Sequence, residues 1–149
     1  MFAALVALSL VVSADAKEKN LSDAGKKELK ALEGKWTATK VVVDGTELPG
    51  PEGEEKTIEF KGQKFLLAGK EFFDVTNLDP SADPKLIDFK GLADMGEIRK
   101  DAVYEAIYKL DKDTLTLALY FGSGQNRPAK FELGKDSKVA VVTLVREKK

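Results

Sequence analysis

The side chains that carry most hydrolytic, redox and metal chemistry are missing from this chain. Its 149 residues include no histidine and no cysteine. The first absence removes Ser-His-Asp catalysis, imidazole acid–base work and imidazole metal ligation. The second removes disulfides, thiolate zinc sites and thiol nucleophiles. Carboxylates, lysines, tyrosines and hydroxyls remain. Carboxylate pairs can share acid–base work, yet spacing sets none of the many pairs here apart. Asp79 with Asp83, or Asp111 with Asp113, lacks the ligand spacing and density of a calcium loop. The steps Asp79-Pro80 and Asp83-Pro84 are turn chemistry instead. Gly122-Ser123-Gly124-Gln125-Asn126-Arg127 opens like a phosphate-binding loop. It has no third glycine and no helix after it, and reads as an inter-strand loop. The expectation is a protein that binds rather than catalyses, with no catalytic residue, metal ligand or cofactor assigned.

The elements that must position any binding site follow from punctuation and periodicity. Ser22 to Leu32 reads as a short helix, capped by Ser22 or Asp23 and stopped by Gly34. From Lys35 onward the apolar period is two, which is the strand signature. Strands are expected at Lys35–Asp44, Lys56–Lys61, Lys64–Ala68, Glu71–Leu78, Leu86–Lys90, Val103–Leu110, Thr114–Phe121, Ala129–Leu133 and Val139–Arg146. Asp44-Gly45 is a hairpin-type turn, and Leu48 to Gly53 and Gly91 to Asp101 read as loops. Val41, Val42 and Val43 break the alternation, which calls for a bulge or burial on both faces. Sequential strands of this number close most simply into an all-β, eight-stranded, up-and-down antiparallel barrel behind the helix. A β-sandwich is the alternative.

The aromatic set Phe60, Phe73, Phe89, Tyr104, Tyr108 and Phe121 either lines a ligand pocket in such a barrel or forms its packed core. Only three of the 24 basic residues are arginine: Arg99, Arg127 and Arg146. Arginine makes rigid bidentate pairs with carboxylates. Arg127 is therefore either an anion-binding residue at the barrel mouth or a structural partner of Asp88 or another acid that pins its loop.

Charge and the N-terminus speak to partners and compartment. The balance of 24 Lys and Arg against 25 Asp and Glu leaves a net charge of −1. No basic excess is present to neutralise a phosphate backbone, so a nucleic-acid partner is not expected. Phe2 to Val12 is apolar except for Ser9, and Ser13-Ala14-Asp15-Ala16 leads straight into Lys17-Glu18-Lys19. An apolar run followed by a small-x-small site is the secretory pattern, although here no Lys or Arg precedes the run. Residues 1–16 are expected to be a signal peptide and 17–149 a single domain exported to the periplasm or beyond; a buried N-terminal helix or strand is the alternative. The run falls short of the roughly 20 residues of a transmembrane helix. Export without cysteine suits a bacterial envelope protein.

Gly34-Lys35-Trp36 opens the first strand and Arg146 closes the last. This resembles the lipocalin arrangement, in which a late arginine stacks on the tryptophan at the closed end of the barrel. The Thr-Asp-Tyr type turn of lipocalins is absent. A broader resemblance, over about Leu29 to Glu147, is to the small exported lipocalin-like domain of planctomycete bacteria. It is carried by Leu32-Glu33-Gly34-Lys35-Trp36, Val43-Asp44-Gly45, Leu48-Pro49, Leu78-Asp79-Pro80 and Pro84-Lys85-Leu86-Ile87-Asp88, then by Ile107 to Leu115 and Arg127-Pro128-Ala129-Lys130-Phe131. That resemblance implies the barrel and export, and no particular activity. The expected function is binding of a small, partly apolar molecule in a narrow pocket open at one mouth, about 300 Å³ or more. The alternative is a filled barrel that serves as an envelope-associated protein–protein interaction module.

Overall fold

The computed structural model describes residues 21–49, 56–94, 98–122, 127–131 and 134–147. The expected signal peptide at residues 1–16 lies outside the described residues, as do Ser123 to Asn126 of the glycine-containing loop. Helix α1 (Asp23–Leu32) begins where the cap was expected. The Ser22 hydroxyl accepts the Gly25 N–H at 3.0 Å, filling one of the orphan donors of the first turn. Gly25 also lets the helix lie on the sheet, because a Cβ there would sit 2.5 Å from the Leu78 carbonyl oxygen. Among the described residues no helix is long and apolar enough to cross a membrane.

Nine strands follow: β1 (Gly34–Val43), β2 (Thr46–Leu48), β3 (Thr57–Lys61), β4 (Lys64–Leu67), β5 (Lys70–Asp79), β6 (Lys85–Gly91), β7 (Val103–Asp111), β8 (Thr114–Tyr120) and β9 (Val139–Arg146). Each pairs antiparallel with its sequence neighbours, and β9 returns to β1 over Trp36 to Val43. The sheet therefore closes on itself, and among the described strands β2 alone is bonded on one side only. β2 pairs with the far half of β1 and β3 with its near half. They act as one wall strand interrupted by residues 49–56, so nine strands build an eight-stranded up-and-down barrel.

Two stretches differ from the sequence reading. Thr46–Leu48, expected to lead from a turn into a loop, is the short strand β2. Ala129 to Phe131, expected to start a strand, are bends, and 132–133 lie outside the described residues. Closure explains the second difference. With β8 bonded to β7 and β9, and β9 to β8 and β1, neither strand flanking the segment has a side left for another strand. The segment lies instead on the outer wall. There Phe131 packs with Leu86, Tyr120 and Val141 over Ile107, Ala118 and Val139.

Three bulges set the phase of the side chains. In β1 the pairing with β9 shifts at Thr39, so Ala38 and Val41 both face inward and Val42 faces out. The valine run thus meets apolar surroundings on both faces, Val41 in the interior and Val42 near Phe131, Val139 and Val141 outside. In β5, Phe72 is an extra residue opposite β4, and Thr76 is an extra residue opposite β6. Each bulge inverts the alternation beyond it.

Candidate functional site

One end of the barrel is shut by packing. Trp36 and Leu32 are wholly buried there with Leu115 and Leu144, and Leu21, Leu29 and Leu78 close the gaps. The indole N–H of Trp36 donates to the Leu32 carbonyl at 2.9 Å. The Arg146 guanidinium lies 4.3 Å from the Trp36 ring centroid, within the range of a cation–π contact. It also donates to the carbonyls of Glu33 at 2.9 Å and Ala31 at 2.7 Å, which satisfies the last turn of α1. The stacking expected between Trp36 and Arg146 is thus present, and the same arginine serves as a helix cap. Gly34, at φ 119, makes the sharp passage from α1 into β1 that brings these groups together. On the other side of the helix, the Tyr108 hydroxyl donates to Glu28 Oε2 at 2.7 Å, and Lys85 Nζ reaches the same oxygen at 3.0 Å. Burial, and then the hydrogen bond to Glu28, push the Tyr108 phenol well above the ordinary tyrosine range.

The other end is hollow. A cavity of about 580 Å³ opens there, lined by inward-facing residues of seven strands. Ala38 and Val41 come from β1, Ile58 from β3, Phe65 and Leu67 from β4, Lys70, Phe72 and Phe73 from β5, Phe89 from β6, Leu117 and Leu119 from β8, and Ala140 and Val142 from β9. Ala68 of the β4–β5 turn completes the rim. Every lining side chain is apolar except Lys70. The floor is an aromatic cluster. Phe65 meets Phe73 and Phe89, each at 5.5 Å between centroids, and Phe60 edge-on at 5.3 Å. Such edge-to-face pairs add about 0.5–1.5 kcal/mol each beyond the area they bury, so the floor is stiff. The volume lies within the roughly 300–1,000 Å³ of small-molecule sites.

The expected pocket residues divide by depth. Phe73 and Phe89 line the cavity. Phe60 stands behind Phe65, and Tyr104 flanks Phe73 at 6.1 Å while its hydroxyl accepts the Arg99 N–H at 2.6 Å. Tyr108 belongs to the closed end, engaged with α1. Phe121 lies just past the end of β8 and joins neither hydrophobic cluster. Several lining residues were not singled out in the sequence: Phe65, Phe72, Leu67, Lys70, Ala140 and Val142. Those of β4 and β9 lie in strands that were expected, but the continuous apolar runs Phe65 to Ala68 and Val139 to Val142 do not say which of them face inward. Phe72 and Lys70 carried no signal, because the bulge that turns them inward leaves no mark in the residues themselves.

Arg127 stands outside the barrel. Its guanidinium lies 2.7 Å from Asp88 Oδ1 and 3.1 Å from Glu105 Oε2, and it donates to the Ala106 carbonyl at 2.8 Å. The 2.7 Å contact with Asp88 is an ion pair; the aligned hydrogen bonds run to Glu105 and Ala106. Asp88 and Glu105 are cross-strand partners on the outer face, one residue out of phase with the inward Ile87, Phe89, Tyr104 and Ala106. Of its two readings, the pairing with Asp88 describes its surroundings, and it does not line the mouth. Asp79 is likewise engaged locally. It accepts from the Ser81 hydroxyl at 2.6 Å and the Ser81 N–H at 3.0 Å, and these bonds lower its carboxyl below the usual range.

A second concavity, of about 540 Å³, lies on the outer wall among Lys40, Val42, Phe131, Val139 and Val141. Compared with protein-family models, with curated proteins and with solved structures, the chain finds no match.

Proposed function

We propose that this chain is an exported, lipocalin-like barrel that binds a small, largely apolar molecule in the mouth half of its interior, without catalysis. The observation that carries the reading is the apolar cavity of about 580 Å³ above the phenylalanine floor. A barrel of this size has just enough interior for side chains to fill it, and its closed half is filled. In the other half, Ala38 and Ala140 stand where larger residues would close the space. Residues so placed leave open apolar space for a small-molecule guest. The filled-scaffold reading requires a core that is solid from end to end, and the mouth half departs from that.

The test is a fluorescence titration with the neutral, environment-sensitive dye N-phenylnaphthylamine. The expected result is saturable uptake with enhanced emission. Leu119→Trp, which adds volume to the half-buried lining, is expected to weaken uptake about tenfold or more while the protein stays folded. A wild-type protein that takes up no dye would overturn the reading and leave the scaffold function ahead.

A further inference from the structure

The charge at the cavity mouth is set by one bulge. In a regular β5, alternation from the inward Phe73 would bring Glu71 inward and Lys70 outward. The extra residue at Phe72 reverses this: Glu71 pairs with Leu66 on the outer face, and Lys70 pairs with Leu67, which lines the cavity. A two-residue turn, Ala68-Gly69, holds the pair at the rim. Phe72 itself turns into the lining, so the bulge adds an aromatic wall beneath the amine. Among the described residues no carboxylate lines the cavity, and Lys70 is its one charged lining side chain. The nearby acid Glu47 projects outward with Lys40, 3.7 Å from it. The mouth therefore offers an apolar bore with an ammonium group at its lip.

We propose that the cavity selects slim amphiphiles with a single anionic head, of the long-chain carboxylate class, tail inward and carboxylate at Lys70. The proposal rests on the ligand-binding reading above and adds the sign of the head group. An ammonium group at an apolar edge favours a carboxylate by Coulomb attraction and gives a neutral head no such gain. Lys70 is exposed, so the preference is modest and screened by salt.

The experiment is displacement of N-phenylnaphthylamine by dodecanoate, dodecanol and dodecylamine, each below its aggregation concentration. It uses the wild type, Lys70→Gln and Lys70→Glu. In the wild type, dodecanoate is expected to compete about threefold or more better than dodecanol at low salt, with the gap narrowing at high salt. Lys70→Gln is expected to erase the gap, and Lys70→Glu to place dodecylamine ahead of dodecanoate. Melting curves are expected to coincide, since the substitution lies at an exposed rim position. If the dye binds but dodecanoate and dodecanol compete equally in the wild type, the anionic-head inference falls and the cavity reading stands. A carboxylate preference that survives Lys70→Glu would also overturn it, by removing Lys70 from the role. Failure of the dye to bind at all would overturn the cavity reading, and this inference with it.

Discussion

Arg146 joins three elements with one side chain. It covers the Trp36 ring, caps two carbonyls at the end of α1 and reaches Asp113 Oδ1 in the β7–β8 turn at 3.4 Å. The contact with Asp113 is exposed and contributes little. Most of the effect comes from the ring stacking, about 0.5–2 kcal/mol, and from the carbonyls that would otherwise lose a charged donor. Arg146→Ala is expected to lower stability by about 1–3 kcal/mol and to shift Trp36 emission, as chemical denaturation followed by fluorescence would show; unchanged emission would mean the stacking is absent in solution. Tyr108 provides a pH handle. Its folded pKa is raised above the ordinary 10.0 by burial and by Glu28, so the folded state holds its proton more tightly than the unfolded chain. The stability it contributes is complete below about pH 10 and is lost as pH rises above it. Wild type is therefore expected to lose stability between about pH 10 and 11 more steeply than Tyr108→Phe, and parallel curves would contradict the upward shift that burial and Glu28 impose.

At the scale of elements, bulges and a latch decide what faces where. The bulge at Thr39 decides that Val41 faces inward and Val42 outward. The bulge at Phe72 widens the aromatic lining and moves a lysine to the lip. Arg127 is the latch. It fastens the segment after β8 to outward carboxylates on β6 and β7, and so holds Phe131 over the outer cluster. Truncating it leaves Asp88 and Glu105 half-buried without their cation, a loss of about 1–3 kcal/mol. Arg127→Ala is thus expected to destabilise the fold and speed proteolytic cleavage after β8. Its affinity for N-phenylnaphthylamine is expected to stay unchanged, because the latch and the cavity lie on opposite faces of the wall. A large drop in dye affinity would move Arg127 into the site.

The whole molecule divides its interior. The helix-plugged half is packed solid, and packing of that kind specifies a unique fold. The mouth half keeps small residues on two adjoining strands and stays hollow. Closure of β1 on β9 allows this, since the ladder between them runs from Trp36 to Val43 and ties the wall together along the hollow half as well. The near-neutral charge gives no long-range field to gather a polyanion, so in the proposed function recognition rests on the cavity and its lip. The mature molecule, in the proposal of export, begins at Lys17. N-terminal sequencing of protein recovered from the cell envelope is expected to read Lys-Glu-Lys-Asn, and an intact Met1 in a cytoplasmic fraction would refute export.

Much of the architecture was legible in the residues alone. Ser22 and Gly34 bounded the helix, period-two alternation located most of the strands, and Trp36 with Arg146 marked the closed end. These are local or pattern-borne signals, set by which residues share a face and which can turn. The hollow, its lip and the place of Arg127 were decided by tertiary structure. Alternation says that Phe73 and Phe89 share a face, but not that Phe65 stands between them and Phe60. A single extra residue at Phe72 decides whether Glu71 or Lys70 faces the interior, and only the pairing with β4 reveals it. Arginine next to a polar loop suits a mouth or an outer wall equally well, until closure of the barrel fixes which side Asp88 and Glu105 occupy. Local sequence carries periodicity; phase and inside-outside sense arise only when strands pair and the sheet closes.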